Sequence, residues 1–385
     1  MYKQKEQIKN FEKMNKINSE SVFEYLKKQK DEVLTPSNFC EADLVLFGLI
    51  TLIDISKVNV PFENENRFIT LNELMANQIK LHKNHRLGLI LNKEILNYLI
   101  ECGESNRYKD IKFYNLYHKV DLETQSTFVM CDLSDDISIV IFGGTDDSVT
   151  GWKENFKLLI NSNPECLNNA KEYVNRNCTN KNKKYVFIGH SKGGMLCCYS
   201  FFECDKSIQE RVIVAYDLDG TGFTKQFVNK HKSDDSVDKL QLICPKGSVV
   251  GRLFYQTKKA IVVKSSYHSL NEHNPVSWMI MNDGSFERCK SFSKKSSINE
   301  VMIKKYLEKL SKNETESLYK ALAKIINAGN ATTLSMLIRK PIRILIAIAK
   351  LPKAEKKVVF TMPVNLIKNS VQPRKQKRKR RNKKR

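Results

Sequence analysis

Several features that define other classes of protein are missing from this chain of 385 residues. Its ten cysteines are too sparse for a disulfide scaffold, and no two of them have the spacing of a zinc site. No run of about 18 apolar residues is present, so we expect no membrane-spanning helix. The N-terminal residues are too charged for the core of a signal peptide. Together these absences favour a cytoplasmic protein with reduced thiols.

Acidic residues are fewer than basic residues, and the excess of positive charge is unevenly distributed along the chain. The chain has 65 Lys and Arg against 42 Asp and Glu, which gives a net charge of +23. Ten of the twelve residues at 374–385 are basic, so nearly half of the excess lies in this tail. Such a tail can bind a polyanion, such as an anionic membrane surface or nucleic acid, or an import receptor in a nucleated cell. Nucleic acid is the weaker alternative, because no aromatic residues are present there to stack on bases.

The pattern of apolar residues predicts an α/β architecture. Short β-branched or aromatic segments predict strands at 113–120, 126–133, 137–142, 185–188, 212–216, 240–243, 260–263 and 276–281. Segments with helical spacing lie at 44–55, 67–104, 152–175, 193–202 and 299–330. Because strands alternate with helices, we expect a mainly parallel sheet with helices on both faces.

Three regions follow one another along the chain. Residues 1–300 are predicted to form the α/β domain with N-terminal helices, 301–352 a helical extension, and 353–385 a linker and a basic, disordered tail. Within the extension, 333–351 mixes Leu and Ile with basic residues around Pro341. This segment is either a packed helix pair or an interfacial helix on anionic lipid.

The most informative motif is Gly189-x-Ser191-x-Gly193, which lies between a buried strand and a helix. This arrangement is typical of a nucleophile elbow, in which the serine has a strained backbone and flanking glycines avoid steric collisions. The turn would raise the Ser191 hydroxyl over the carboxyl edge of the sheet. It would also direct the first helical amides, including that of Lys192, at a developing oxyanion. An ordinary glycine turn is the alternative interpretation.

A serine nucleophile needs an acid and a base, which follow it in that chain order in this fold. Asp219 is our candidate acid, because it lies just beyond the next strand, where a carboxylate can reach the edge beside Ser191. Its alternative role is that of a turn aspartate. The rivals for the acid are other nearby carboxylates: Asp217, Asp234, Asp235 and Asp238.

His273, in the loop between the buried strand that ends near Val263 and Trp278, is our candidate base. His268 is the main competitor, whereas His190 is expected to point away and to pack or bond locally. A second oxyanion donor should come from a loop after an early strand. Thr145, through its backbone or hydroxyl, fits this role, with Gly144 permitting close approach. A simple Gly-Gly turn is the alternative.

Five motifs support this interpretation together. They are Phe-Gly-Gly-Thr-Asp-Asp at 142–147, Gly-Trp-Lys-Glu at 151–154, Gly-His-Ser-Lys-Gly-Gly at 189–194, Asp-Gly-Thr-Gly-Phe at 219–223, and His-Asn-Pro at 273–275 with Trp278. In this order they resemble the Mbeg-like family of uncharacterised α/β-hydrolases related to class 3 lipases, over roughly 20–335. The resemblance implies an α/β-hydrolase fold with Ser191 as nucleophile, His273 as base and Thr145 in the oxyanion hole.

The acid shows two departures from the patterns of these families. Asp219 matches the acidic residue of the family's Asp-Gly-Pro-Gly-Phe motif, but Thr221 replaces the proline. Class 3 lipases usually place their acid later, near 244–248, where this sequence has no carboxylate. The resemblance therefore favours Asp219.

We therefore expect a serine hydrolase that cleaves carboxylic esters, with a lipid-like substrate implied mainly by the family resemblance. Its triad would be Ser191, His273 and Asp219, with the Lys192 amide and Thr145 as oxyanion donors. No metal or organic cofactor is implied. Two alternatives stay open: an inactive binding or scaffold protein on this fold, and a polyanion-binding or membrane-binding protein that acts through its tail.

Overall fold

The computed structural model describes residues 19–53, 64–82, 90–159, 164–328 and 331–360. Within them, eight strands form one sheet, in which the spatial order follows the chain order. Neighbouring strands pair antiparallel from β1 to β4 and parallel from β4 to β8. The strands are β1 Ile69–Thr70, β2 Lys112–Val120, β3 Gln125–Ser134, β4 Ile137–Phe142, β5 Lys184–His190, β6 Val212–Leu218, β7 Leu240–Pro245 and β8 Ile261–Val263.

Helices precede the sheet, lie in several of the connections between its strands and follow it. They are α1 Val22–Gln29, α2 Asp43–Leu49, α3 Leu71–His82, α4 Lys93–Glu104, α5 Val149–Leu159, α6 Glu165–Asn177, α7 Lys192–Glu203, α8 Lys206–Arg211, α9 Lys225–His231, α10 Lys294–Lys309, α11 Lys312–Ile326, α12 Leu334–Ile338 and α13 Pro341–Lys350. None of the helices in these described ranges is long and apolar enough to cross a bilayer.

Both faces of the sheet are buried against helices. Successive residues of β4 alternate between two cores, with Ile139 and Ile141 in one and Val140 and Phe142 in the other. The first core is closed by α1 to α4 and the second mainly by α6 and α7. This alternation is the expected consequence of the two-residue period of a strand. The α/β class and the two helical layers are thus confirmed, although three of the seven strand pairings are antiparallel.

The prediction of a strand at 276–281 is wrong. Residues Pro275–Ser277 form a turn of 3-10 helix that begins at the proline, whose ring lacks the N–H that a sheet ladder would need. The following residues make only isolated bridges, among them Ser265 to Trp278 and Ile280 to Phe286. Burial of Trp278 and Ile280 in the first core explains the apolar pattern that suggested a strand.

The predicted helix over 67–104 is also subdivided. It starts with the short strand β1, and α4 begins anew at Lys93, where the Asn92 side chain accepts a hydrogen bond from the Ile95 amide. Such an N-cap satisfies one of the amides left without a partner at a helix start. Residues 83–89, between α3 and this cap, lie outside the described residues.

The C-terminal extension consists of two helix pairs. Pro341 is the first residue of α13, a position where its fixed φ is favourable, so it separates α12 from α13. Residues 353–360 are helical, and Val358 packs with Tyr306 and Leu318. The prediction of a disordered tail from residue 353 is therefore wrong for these residues. The basic run at 374–385 lies outside the described residues.

Candidate active site

The candidate site lies where the parallel strands end. Ser191 directly follows β5 and Asp219 directly follows β6, while Thr145 and Ser248 lie three residues beyond β4 and β7. His273 comes from the loop after β8. Because the carboxyl ends of parallel strands share one edge, the fold brings these five residues together there.

Backbone hydrogen bonds continue the parallel ladder just past the strands. The Ser191 amide donates to the Leu218 carbonyl at 3.0 Å, and the Asp219 amide donates to the Ile243 carbonyl at 2.8 Å. The register of β5, β6 and β7 therefore fixes the positions of the two residues relative to each other.

Ser191 occupies a sharp turn with a strained backbone, at φ 59° and ψ −125°. A Cβ added to Gly189 would lie 2.1 Å from the Gly193 carbonyl oxygen, and one added to Gly193 would lie 2.1 Å from that of Phe142. Only glycine fits at either position without movement of the backbone. The two glycines of the motif are therefore needed to avoid steric collisions, as the sequence suggested. Backbone strain of the kind seen at Ser191 is concentrated at functional sites.

Asp219 and His273 are hydrogen-bonded to each other. The His273 ring donates from Nδ1 to Asp219 Oδ2 at 2.7 Å. The Asp219 carboxylate is fully buried, and its other oxygen accepts from the Ser248 hydroxyl at 2.5 Å and the Gly251 amide at 3.2 Å. This network fixes the tautomer of His273, since Nδ1 carries the proton and Nε2 is left as an acceptor.

The rival residues lie elsewhere. The Asp217 carboxylate faces α7, and its Oδ2 lies 3.8 Å from the sulfur of Cys198 on that helix. Its Oδ1 accepts a hydrogen bond from the Gly220 amide at 2.6 Å. His268 is exposed to solvent. The Asp234 side chain caps the 3-10 helix Asp235–Lys239, in the connection that precedes β7.

His190 contacts the candidate base directly. Its Nε2 donates to the His273 carbonyl oxygen at 2.8 Å, and the two rings lie 4.6 Å apart. Burial, reinforced by the nearby His273 ring, lowers the pKa of His190 to about 3. The ring is therefore neutral at ordinary pH and acts as a fixed hydrogen-bond donor. The expectation that His190 points away from the site and bonds only locally is wrong, because its ring lines the cavity and contacts His273.

The loop that carries His273 is attached to the end of β7 through Glu272. The Glu272 carboxylate accepts hydrogen bonds from the amides of Gly247 at 2.6 Å and Ser269 at 3.1 Å. The Glu272 carbonyl accepts from the indole N–H of Trp278 at 2.8 Å. These contacts restrict the motion of the loop, so His273 is presented from a supported backbone.

The loop after β4 lies against the elbow. A Cβ added to Gly144 would be 3.8 Å from Ser191 Cβ and 2.9 Å from the His190 carbonyl oxygen. Thr145 Oγ1 lies 2.9 Å from Nδ2 and 3.1 Å from Oδ1 of Asn155. Asn155 therefore holds the Thr145 side chain in place beside the elbow.

The side chain of Lys192 is buried beside the site, although sequence reasoning considered only its amide. Its ammonium group contacts Glu154 Oε2 at 2.9 Å, the Gln125 carbonyl at 2.6 Å and Gln125 Oε1 at 2.5 Å. The side-chain amide of Gln125 in turn donates through Nε2 to the Gly144 carbonyl at 3.3 Å. One buried network therefore joins the start of α7 to the loop that carries Thr145.

A cavity of about 660 Å³ opens beside Ser191 and His273. Gly144, Thr145 and Lys192 line it next to the elbow. The remaining wall is largely aliphatic and aromatic, formed by Leu49, Leu52, Ile90, Ile95, Trp152, Phe156, Leu158, Val250, Leu253, Phe254, Leu270 and Pro275 among others. A cavity of this size and character suits an apolar group next to a small set of polar atoms.

Most of the supporting residues gave no separate signal in the sequence. Glu154 is part of the Gly-Trp-Lys-Glu motif, but no spacing rule connects it to Lys192. Ser248 and Glu272 act through loops whose approach depends on the tertiary fold. His190 was recognised as a neighbour of the nucleophile, whereas its bond to the His273 carbonyl could not be read from the chain.

The fold and the site together define an α/β protein with a serine elbow and an Asp-His pair at the carboxyl edge of its sheet. A model of the Mbeg1-like family matches residues 102–324, which is more than half of the chain. The chain therefore belongs to the Mbeg1-like family, as its motifs suggested. No curated protein and no solved structure matches it significantly.

Removing the charge of Lys192 should destabilise the protein. Lys192→Met leaves Glu154 buried without its cation, which costs about 3 kcal/mol or more in the free energy of unfolding. Lys192→Met with Glu154→Leu should recover most of that loss, because an apolar pair can replace a buried ion pair. Urea unfolding of the three proteins measures both effects, and equal stability of the two variants would contradict the prediction.

Asp217 should make stability dependent on pH. Burial raises the pKa of this carboxyl from 3.8 to about 7. The folded state therefore holds a proton that the unfolded state releases, and stability from Asp217 is lost as the pH rises from about 4 to about 7. Asp217→Asn cannot titrate, so its advantage over the wild type should grow across this window, as measured by urea unfolding at each pH. A constant difference would contradict the prediction.

Proposed function

We propose that the protein is a serine hydrolase of the α/β-hydrolase fold that cleaves carboxylic esters, with kinship to class 3 lipases. The observation that carries the proposal is the bond between Asp219 and His273 beside the strained turn at Ser191. An imidazole whose Nδ1 is held by a buried carboxylate presents Nε2 as a general base.

The proposed reaction begins with attack of Ser191 Oγ on the ester carbonyl carbon while His273 Nε2 takes the hydroxyl proton. The tetrahedral intermediate carries a negative oxygen, which the Lys192 amide and Thr145 stabilise. One such donor contributes about 3 kcal/mol. The imidazolium then gives its proton to the departing alcohol, and an acyl-enzyme forms. Water attacks this ester by the same route and releases the acid.

Three residues would act by positioning in this scheme. Asp219 holds the imidazole and stabilises its charged form. His190 holds the backbone of His273 by donating a hydrogen bond to the His273 carbonyl oxygen. The Lys192 side chain stabilises the arrangement of the two oxyanion elements through Gln125 and Glu154.

The cavity supports an ester with an apolar acyl chain as substrate. Its wall of aliphatic and aromatic side chains offers favourable burial to methylene groups. A cytoplasmic location belongs to the same proposal, and the free thiols of all ten cysteines agree with a reducing compartment.

A fluorophosphonate probe tests the nucleophile, because it reacts only with activated serine hydroxyls. We expect labelling of the purified protein and its loss in Ser191→Ala, with retention in Ser207→Ala, which removes an exposed serine on α8. Labelling should be followed by fluorescence after denaturing electrophoresis. Labelling that survives Ser191→Ala, or none in a folded wild type, would overturn the proposal.

The acid is tested by a pair of matched variants in an ester-hydrolysis assay. Asp219→Asn should lower kcat on a short-chain ester by about a thousandfold or more, because the imidazole loses its preferred tautomer. Asp217→Asn removes a neighbouring buried carboxylate and should retain activity. The opposite ranking would assign the acid to Asp217.

The acyl-chain assignment predicts a dependence on chain length. We expect kcat/KM to rise from butyrate to octanoate esters as more methylenes enter the cavity. Leu253→Trp should fill part of the cavity and lower activity on octanoate at least about tenfold while butyrate activity changes little. Equal losses on both esters, measured in a continuous hydrolysis assay, would contradict this prediction.

A further inference from the structure

Helix α13 has an exposed apolar face that the described residues do not cover. Ile342, Leu345 and Ile346, which we call the outer stripe, recur at helical spacing and lie on one side of the helix. Ile342 is 71% exposed and Leu345 65% exposed. Side chains of this kind rarely occur together on the surface unless the patch has a binding role.

The opposite face of α13 is already packed. Ile344 and Ala347 pack against a small core formed by Val149, Ile326, Ala328, Ala331 and Leu337. The helix is therefore apolar on both sides, and a helix with this pattern is normally covered on both. Something beyond the described residues is needed to cover the outer stripe.

The charge of the segment identifies an anionic, apolar partner. Residues 331–351 include four basic residues and no acidic residue. Arg343 and Lys350 are seven positions apart, so they lie on the same flank of α13 beside the outer stripe. A lipid bilayer with anionic headgroups offers both an apolar interior and negative charge. A second copy of the chain would instead bring like charges together.

The helix is also connected to the candidate active site. Trp152 and Phe156 line the cavity, and they also pack against the small core on which Ile344 and Ala347 of α13 rest. The Leu334 amide donates to the Asp147 carbonyl at 2.8 Å, and the Val149 amide donates to the Thr332 carbonyl at 3.0 Å. The extension is thus attached to the segment that follows Thr145.

We propose that the outer stripe docks on the surface of an anionic phospholipid membrane, with Arg343 and Lys350 against the headgroups. Docking would hold α5, and with it the wall of the cavity, next to the lipid. The inference extends the proposed hydrolase function without depending on it, because binding requires no chemistry at Ser191.

Vesicle co-sedimentation of the full chain tests this docking. We expect tighter binding to vesicles of phosphatidylcholine with phosphatidylglycerol than to phosphatidylcholine alone. Ile342→Ser with Leu345→Ser should weaken binding to the anionic vesicles about tenfold or more, because two large apolar groups no longer leave water. Arg343→Glu with Lys350→Glu should weaken it as well. The Ser191→Ala protein should bind like the wild type.

A second pair of substitutions provides the control. Val33→Ser with Ile213→Ser removes two exposed apolar side chains outside the extension and should leave vesicle binding unchanged. Because the basic tail is present in every variant, the difference between the two pairs reports on the outer stripe alone. Circular dichroism and the melting temperature establish that each variant is folded.

Three results would overturn the proposal. The first is unchanged binding by the Ile342→Ser, Leu345→Ser protein, which would assign any membrane affinity to other basic regions. The second is an equal loss with the control pair. The third is a stable dimer in light scattering that the outer-stripe variant dissociates, which would identify a second copy as the occupant.

Discussion

The arrangement of the site depends on the backbone hydrogen bonds that continue beyond the ends of β5 and β6. They bind Ser191 to Leu218 and Asp219 to Ile243, so that both residues leave the sheet with positive φ and at a fixed offset. Ser191 and Asp219 are therefore held in fixed positions relative to each other by the sheet itself. His273 then has to be supplied only by a loop, and Glu272 attaches that loop to the end of β7.

Several buried polar groups lie around this edge of the sheet. Lys192 and Glu154 are almost fully shielded from water, and Asp217 and Asp219 follow each other closely at the end of β6. A burial of charge on this scale opposes folding unless each group has partners. The partners connect α7, α5 and the loop after β4, so the energetic cost is offset by a network that also fixes the walls of the site.

The sequence allowed a good part of this fold to be predicted, because burial and period are local properties. The strands β2 to β8 and the elbow followed from apolar runs and from the glycines around Ser191. The segment at 276–281 misled the prediction, since burial of Trp278 and Ile280 resembles a strand when no neighbouring strand is known. The contacts of Lys192, Ser248 and His190 could not be predicted, because each joins residues that are distant along the chain.

The two alternatives for 333–351 were a packed helix and an interfacial one, and the structure shows why the sequence could not separate them. Helix α13 packs through Ile344 and Ala347 and at the same time exposes Ile342 and Leu345. An apolar pattern alone does not say how many faces of a helix the rest of the chain covers. The packed face lies against a small core to which Trp152 and Phe156 of α5 also contribute, and these two residues line the cavity beside Ser191. A surface that binds α13 would therefore be linked through this core to the wall of the cavity.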